Sequence, residues 1–329
     1  MLTRLQLERG QVLIYLFAIA TGAGLGWNLP ACAPAMESLL WPVLAALLYV
    51  TFAQVPLLEL RGAAGHGRFL AALLVVNFTI VPPLTWLLAR LLPPDPALLL
   101  GVYLVLLAPC TDWFVSFTLL GKGDARLAIA ATPVLLLTQM LLLPLWLWWF
   151  LGGELAGIVR AGKFLEAFLG LIVLPLILVA FTEWIARRSV TGQRWLALTA
   201  WLPVPLLAVT VFLIAGAQIR AVRGSWTLLG ATAVVFAVYA GVVPFLARFV
   251  ARRFGLGTPG QRTVIFSAGT RNSFVVLPLA LALPAGWKLA AAVIVLQSLV
   301  ELGAMVGYLW WVPARLVPEP AVSRRPPPS

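Results

Sequence analysis

The chain has 329 residues, of which 62% are apolar and 10% are charged, and it carries a formal net charge of +12. A soluble domain has about 45–50% apolar and about 25% charged residues, so a soluble fold would expose far too much apolar surface. The basic residues form short clusters between long apolar runs, without a basic helix or zinc-type cysteine spacing, and this pattern excludes a nucleic-acid-binding protein.

Ten apolar segments follow one another along the chain. A membrane span needs roughly 20 mostly apolar residues. The first segment resembles a secretory signal, because Arg4 and Arg9 precede it and a small-residue stretch follows, but its length and the later segments favour a retained helix. The predicted spans lie near 11–28, 37–58, 68–92, 97–120, 126–151, 164–186, 194–218, 225–247, 262–283 and 287–312.

The positions of Lys and Arg predict the orientation of these spans. With the N-terminus inside, sixteen basic residues fall in inner segments and six in outer loops. This positive-inside bias predicts ten spans in a bacterial-type plasma (inner) membrane, with both termini cytoplasmic.

The two halves of the chain resemble each other at a nearly constant offset. An offset of 160 residues places 108–115 on 268–275, and an offset of 162 places Gln139 on Glu301. Five spans per half is an odd number, so the second half is inverted. The predicted organisation is a first five-helix repeat, a second, inverted five-helix repeat and a disordered cytoplasmic tail, at 1–155, 156–317 and 318–329.

Helix breakers interrupt the fourth and ninth spans at matching positions. Pro109 and Gly269 are each followed by polar residues. One such kink would be ordinary in a membrane helix, but lipid cannot satisfy the backbone groups that two matching breaks expose, whereas a polar solute or an ion can. The breaks predict a substrate site formed by Cys110, Thr111, Thr270, Arg271, Asn272 and Ser273.

Ionisable and amide side chains within the spans are the candidates for ion coupling: Asp112, Glu301, Gln297 and Gln139. A charge at the centre of a span costs about 2.5–3.5 kcal/mol, so such residues face a cavity or each other. Two interpretations stay open. Asp112 forms a structural pair with Arg271, or else Asp112 or Glu301 binds and releases a proton or Na⁺.

Cys110 is either a small packing residue or a soft sulfur contact for a thiophilic solute at the break. Asn77, before Pro82 and Pro83, is expected to make an interhelical hydrogen bond, with a place in the cavity as the alternative.

The sequence contains neither a phosphate-binding Gly-rich loop before Lys-Ser or Lys-Thr nor a Gly-x-Ser-x-Gly elbow. With a single histidine, a His-based catalytic or metal site is also not expected. We therefore predict a transporter driven by an ion gradient, not an enzyme, with no cofactor other than a coupling proton or Na⁺.

Two short motifs resemble those of a known family. Ala-Pro-Cys-Thr at 108–111, followed by Gly-Lys-Gly-Asp at 121–124, resembles the fourth-span signature of the arsenical-resistance efflux permeases, a branch of the bile acid:sodium symporter superfamily. Arg-Asn-Ser-Phe at 271–274 resembles that superfamily's ninth-span motif. The resemblance implies crossed broken helices 4 and 9 in a core domain, and a panel domain made of spans one, two, six and seven.

The resemblance also implies roles for single residues. It assigns arsenite handling to Cys110 and the exchanged proton to an acidic residue in the last spans. The chain departs from the family pattern where Val275 replaces the ninth-span acid, where Leu135 and Leu136 replace an Asn-Asp pair, and where Asp112 is added.

The expected function is therefore ion-coupled efflux of arsenite or a related metalloid oxyanion by alternating access. The alternative is sodium-coupled uptake of an organic anion. A third interpretation is a membrane-embedded sensor that binds solute without carrying it. The expected partners are a small anionic or metalloid solute and the lipid bilayer, with no nucleic acid. The sequence does not indicate which oligomeric state the protein adopts.

Overall fold

The computed structural model describes residues 4–55, 65–111, 113–158, 169–220, 224–281, 283 and 285–319. Across these ranges the secondary structure is α-helical, with short 3-10 and π segments and no β-strand. The predicted all-α class is confirmed. The helices are α1 Arg4–Asn28, α2 Ala33–Phe52, α3 Gly67–Val75, α4 Val81–Ala89, α5 Pro96–Leu106, α6 Trp113–Leu120, α7 Ala125–Ile158, α8 Leu174–Ala186, α9 Val190–Thr199, α10 Pro203–Gln218, α11 Trp226–Arg253, α12 Thr258–Gly269, α13 Ser273–Leu281 and α14 Lys288–Trp311.

Several of these helices are long and apolar enough to cross a membrane. Within the described residues there are five such helical segments, and a sixth if α9 and α10 form one bent span. The first, fourth, sixth and ninth predicted spans correspond to shorter or interrupted helices, so the ten-span layout stays a prediction. The five segments are Pro30–Phe52, Gly67–Ala89, Ala125–Gly152, Trp226–Arg253 and Lys288–Leu316.

The seventh predicted span differs from the structure. The sequence predicts a span near 194–218, but α9 ends at Thr199 and α10 begins at Pro203, with a bend of 44° between them. Proline has no backbone N–H and its ring clashes with the preceding turn, so it suits the first position of a new helix. The third span accommodates Pro82 differently, through a π-helical turn over Val76–Ile80 that keeps α3 and α4 in one segment.

The helices fall into two packed groups. In the first, α10 packs against α1 and α2, and α8 packs against α2 and α9. These helices correspond to spans one, two, six and seven of the sequence-based assignment. Two glycines let α1 approach α10 closely, because a Cβ at Gly22 or Gly26 would lie 2.2 Å or 2.0 Å from the carbonyl oxygen of Phe212 or Gly216. Small residues four apart are a common way for membrane helices to pack.

The second group contains α3–α7 and α11–α14 and encloses both interrupted spans. Helix α14 packs against α5, α11 and α13, and α12 packs against α6 and α11. At Gly101 of α5 a Cβ would lie 2.8 Å from the carbonyl oxygen of Ala290, so the glycine permits the close contact with α14. This packing buries the two interruptions in the middle of the group.

Candidate solute and ion site

The interruptions predicted in the fourth and ninth spans are both present. The fourth span divides into α5, which ends at Leu106, and α6, which begins at Trp113. The ninth divides into α12, which ends at Gly269, and α13, which begins at Ser273. Pro109 lies within the first gap, where its lack of an N–H costs no helical hydrogen bond.

The two interruptions pair with each other. The backbone N–H of Cys110 donates to the carbonyl oxygen of Thr270 at 3.2 Å, and that of Asn272 donates to Ala108 at 2.7 Å. These bonds flank an antiparallel bridge between the residues that lie between them in each segment. Backbone groups that lipid would leave unsatisfied therefore satisfy one another, and the predicted substrate residues on both segments come together.

The guanidinium of Arg271 is buried beside this pairing, with 2% of the residue exposed. Its Nη1 donates to the carbonyl oxygen of Leu106 at 3.2 Å. Its Nη2 lies 2.7 Å from Oδ1 of Asn77, 2.9 Å from the carbonyl oxygen of Ser267 and 2.7 Å from that of Ala268. Three helical segments, α5, α12 and the π-helical turn of the third span, thus hold one positive charge.

The backbone N–H of Arg271 has a different partner. It donates to Oε2 of Glu301 at 2.8 Å, and Nε2 of Gln297 donates to the same oxygen at 2.7 Å. The hydroxyl of Ser273 donates to Oε1 of Gln297 at 2.8 Å. Residues four apart lie on one face of a helix, so α14 presents an acid and an amide together to the break before α13.

The remaining predicted site residues join the two segments or cap a helix. Nδ2 of Asn272 donates to Oγ1 of Thr111 at 3.3 Å, and Oδ1 of Asn272 accepts from the N–H of Val275 at 3.3 Å, as at a helix start. The hydroxyl of Thr270 donates to the carbonyl oxygen of Phe266 at 2.8 Å.

Cys110 lies inside the site. It is 1% exposed and is present as a thiol. Cys32 is partly exposed and belongs to the 3-10 turn before α2, not to either of the paired segments. Position therefore distinguishes the two cysteines.

Two of the predicted coupling residues are not part of this cluster as described. Gln139 is buried in α7, and neither its amide nitrogen nor its amide oxygen has a hydrogen-bond partner among the described residues. Asp112 lies outside the described residues, so both of its alternatives, the pair with Arg271 and the coupling role, stay predictions.

Sequence reasoning missed two members of the site. Ser267 supplies a carbonyl to Arg271, and its hydroxyl accepts from Nδ2 of Asn77 at 3.2 Å, which is the interhelical bond expected of Asn77. Tyr239 donates to the carbonyl oxygen of Ala268 at 2.8 Å, and its ring lies 5.7 Å from the guanidinium carbon of Arg271. The only signal for Tyr239 is an aromatic hydroxyl within a span instead of at its end.

A buried cluster of charge, hydroxyl and amide groups at the meeting point of two interrupted helices, within an apolar helical protein, defines a membrane transporter. A model of the "Sodium Bile acid symporter family" matches residues 41–225, and the chain belongs to that family. It is also similar to "Putative symporter YfeH" of Escherichia coli (strain K12), with 25% identity over 260 residues that cover 75% of each protein.

Proposed function

We propose that this transporter exports arsenite, or a related metalloid oxyanion, in exchange for a proton. In this proposal ten spans form two inverted five-helix repeats, and the paired interruptions present the solute alternately to each side of the membrane. The observation that carries it is the position of Cys110, buried between Pro109 and Thr111 where the two interruptions meet.

A thiol is a soft ligand and favours a thiophilic solute over hard oxygen-binding ions. Cys110 offers one sulfur, so a site of three thiolates cannot form, and the bound state is weak and short-lived. Weak binding suits a transporter, which must release its substrate on the other side.

Arg271 favours a solute that carries oxygen atoms. Its Nε–H is buried and has no acceptor within the part of the chain that the structure describes. An unpaired buried donor costs about 1–3 kcal/mol, so this N–H needs an acceptor, and the two candidates are Asp112, which lies outside the described residues, and a ligand atom. An oxygen of a metalloid hydroxide or oxyanion is a suitable acceptor.

Glu301 is the proposed proton carrier, with Asp112 as the second candidate. Its Oε2 accepts from the backbone N–H of Arg271, so the carboxylate is bonded directly to the interruption. This N–H and Nε2 of Gln297 both donate to the carboxylate. Protonation removes the negative charge of that acceptor, so it weakens the hydrogen bonds that hold the interrupted segment at Arg271. Proton uptake and the shape of the solute site are coupled in this way.

The test is arsenite accumulation in a bacterial strain that lacks its own arsenite exporters. Cells that make the wild type are expected to accumulate less arsenite than empty cells. Cys110→Ala should remove this effect, and Cys32→Ala, the matched control, should keep it. Equal accumulation with and without the wild type, when the protein is present in the membrane, would remove the arsenite proposal.

A second candidate is sodium-coupled uptake of an organic anion. The buried positive charge of Arg271 favours an anionic solute of any kind, and it does not require the thiol. Uptake of an organic anion that requires Na⁺ and is unchanged in Cys110→Ala would select this candidate instead.

A further inference from the structure

Four oxygen atoms surround the guanidinium of Arg271 beside the interruptions, three of them in contact with Nη2 and the fourth with Nη1. Three are backbone carbonyls, of Leu106 at the end of α5 and of Ser267 and Ala268 in the last turn of α12. The fourth is Oδ1 of Asn77. We call these four oxygens the carbonyl cage.

The cage has the chemistry of a cation site. The last carbonyls of a helix lack partners within the helix and lie at the negative end of its dipole. In transporters with discontinuous helices, such carbonyls coordinate Na⁺. Ser267 shows how the cage arises. In a continuous helix its carbonyl would accept from the backbone N–H of Arg271, four residues later. That N–H bonds to Glu301, so the carbonyl of Ser267 accepts from the guanidinium.

The family name implies Na⁺ as a coupling ion, but Na⁺ does not fit this cage. Nη2 of Arg271 lies 2.7 to 2.9 Å from Asn77, Ser267 and Ala268. A fixed nitrogen with a positive charge therefore occupies the place where an ion would need the same three oxygens. A second cation there would also meet a like charge at contact distance, which is unfavourable in a buried site.

We propose that Arg271 is a tethered cation that takes the place of Na⁺ in the carbonyl cage, so that transport does not require sodium. This deepens the proposed function, since it rests on a proton as the coupling ion. It follows that the cage becomes a sodium site when the guanidinium is removed.

The test is the melting temperature of the purified protein in detergent, in sodium, potassium or N-methylglucamine chloride at constant ionic strength. The wild type is expected to melt at the same temperature in all three salts. Arg271→Gln leaves the oxygens but removes the charge, and it should gain a saturable, sodium-specific rise of about 5 °C. Arg271→Lys keeps a tethered charge and should show no such rise.

Three results would overturn the proposal. The first is any sodium-specific rise in the wild type, which Asn77→Ala would assign to the cage by abolishing it, and this arm is decisive even if Arg271→Gln does not fold. The second is a folded Arg271→Gln that does not respond to sodium. The third is a response in Arg271→Lys as large as that in Arg271→Gln, because charge would then not be what excludes the ion.

These outcomes are independent of the solute. The melting experiment contains no arsenite, so a protein that fails to export arsenite can still show the expected pattern of sodium responses. Conversely, arsenite export that proceeds equally in sodium and potassium media would support both proposals.

Discussion

The carboxylate of Glu301 accepts a hydrogen bond at 2.8 Å from the backbone N–H of Arg271, thirty residues earlier in the chain. An acidic side chain on one helix therefore holds the backbone of a neighbouring, interrupted helix. A change in the charge of this acid acts directly on the segment that carries Thr270 and Asn272.

Glu301→Gln tests whether the acid carries the coupling ion. The amide keeps an acceptor oxygen for the backbone N–H but cannot release a proton, so we expect normal folding. Proton-driven transport should fall by about 10²–10⁴-fold, as when a proton-transfer group is removed. Flux into vesicles under an imposed pH gradient measures this.

Glu37→Gln is the matched control, because Glu37 is half-exposed and contacts Lys288 at 3.3 Å on the surface. Its expected effect on transport and stability is within the error of measurement. Full gradient-driven flux in Glu301→Gln would move the coupling role to Asp112.

Gln139→Leu tests the unpaired amide of α7. Both amide atoms are buried without a partner among the described residues, so an apolar side chain of similar size should raise the free energy of unfolding by about 1–3 kcal/mol. If the amide contacts the solute or the ion during transport, the same variant transports poorly. We expect both results, a higher melting temperature and reduced flux.

Gln54→Leu is the amide control. The amide nitrogen of Gln54 already donates to the carbonyl oxygen of Val50 at 3.1 Å, so its removal should not stabilise the protein. A stabilised Gln139→Leu with unchanged flux would assign Gln139 no part in transport.

Gly26→Ala tests the packing of α1 on α10. A Cβ at Gly26 would lie 2.0 Å from the carbonyl oxygen of Gly216, so the two backbones must separate. We expect a loss of about 1–3 kcal/mol in stability, seen as a lower melting temperature in detergent. Gly24→Ala is the control, since a Cβ there meets nothing within 4 Å, and equal melting temperatures for the two variants would contradict the packing.

Arg262→Ala tests the anchor of the C-terminal segment. Arg262 is 2% exposed and donates to the carbonyl oxygens of Val317 and Lys122 at 3.1 Å and 3.0 Å. We expect a loss of about 1.5–3 kcal/mol in stability, because the carbonyl of Val317, which is buried, and that of Lys122 both lose a charged donor. Glu319→Gln should have little effect on stability, because Glu319 is 70% exposed and lies 3.5 Å from the guanidinium. A larger loss of stability in Glu319→Gln than in Arg262→Ala would show that the ion pair, and not the carbonyl contacts, anchors the segment.

The sequence predicted the two interruptions because helix breakers act locally. Pro109 and Gly269 mark the gaps in any packing arrangement, and the polar residues after them mark the site. Pro203 carries the same kind of signal without a matching break in the other half, and one proline in a span more often kinks a helix than divides it.

The contacts of Arg271 could not be predicted. Among the described residues the guanidinium has four hydrogen-bond acceptors, and three of them are backbone carbonyls, of Leu106, Ser267 and Ala268, which have no signature in the sequence. Only Asn77 carried a side-chain signal. The offset between the halves aligned Gln139 with Glu301 in sequence. This alignment does not explain why the amide of Gln139 has no hydrogen-bond partner among the described residues, whereas Oε2 of Glu301 accepts two hydrogen bonds.

The packing of α1 was predictable in part. The spacing of Gly22 and Gly26 is visible in the sequence and indicates a close helix contact. Its partner in α10 is set by tertiary packing and not by any local pattern.

Arsenite flux into vesicles that contain only this purified protein tests the central claim most directly. With an imposed pH gradient in a sodium-free medium, the account predicts arsenite movement against the direction of proton flow, lost in Cys110→Ala and kept in Cys32→Ala. Vesicles that hold folded protein but move arsenite no faster than empty vesicles would contradict it.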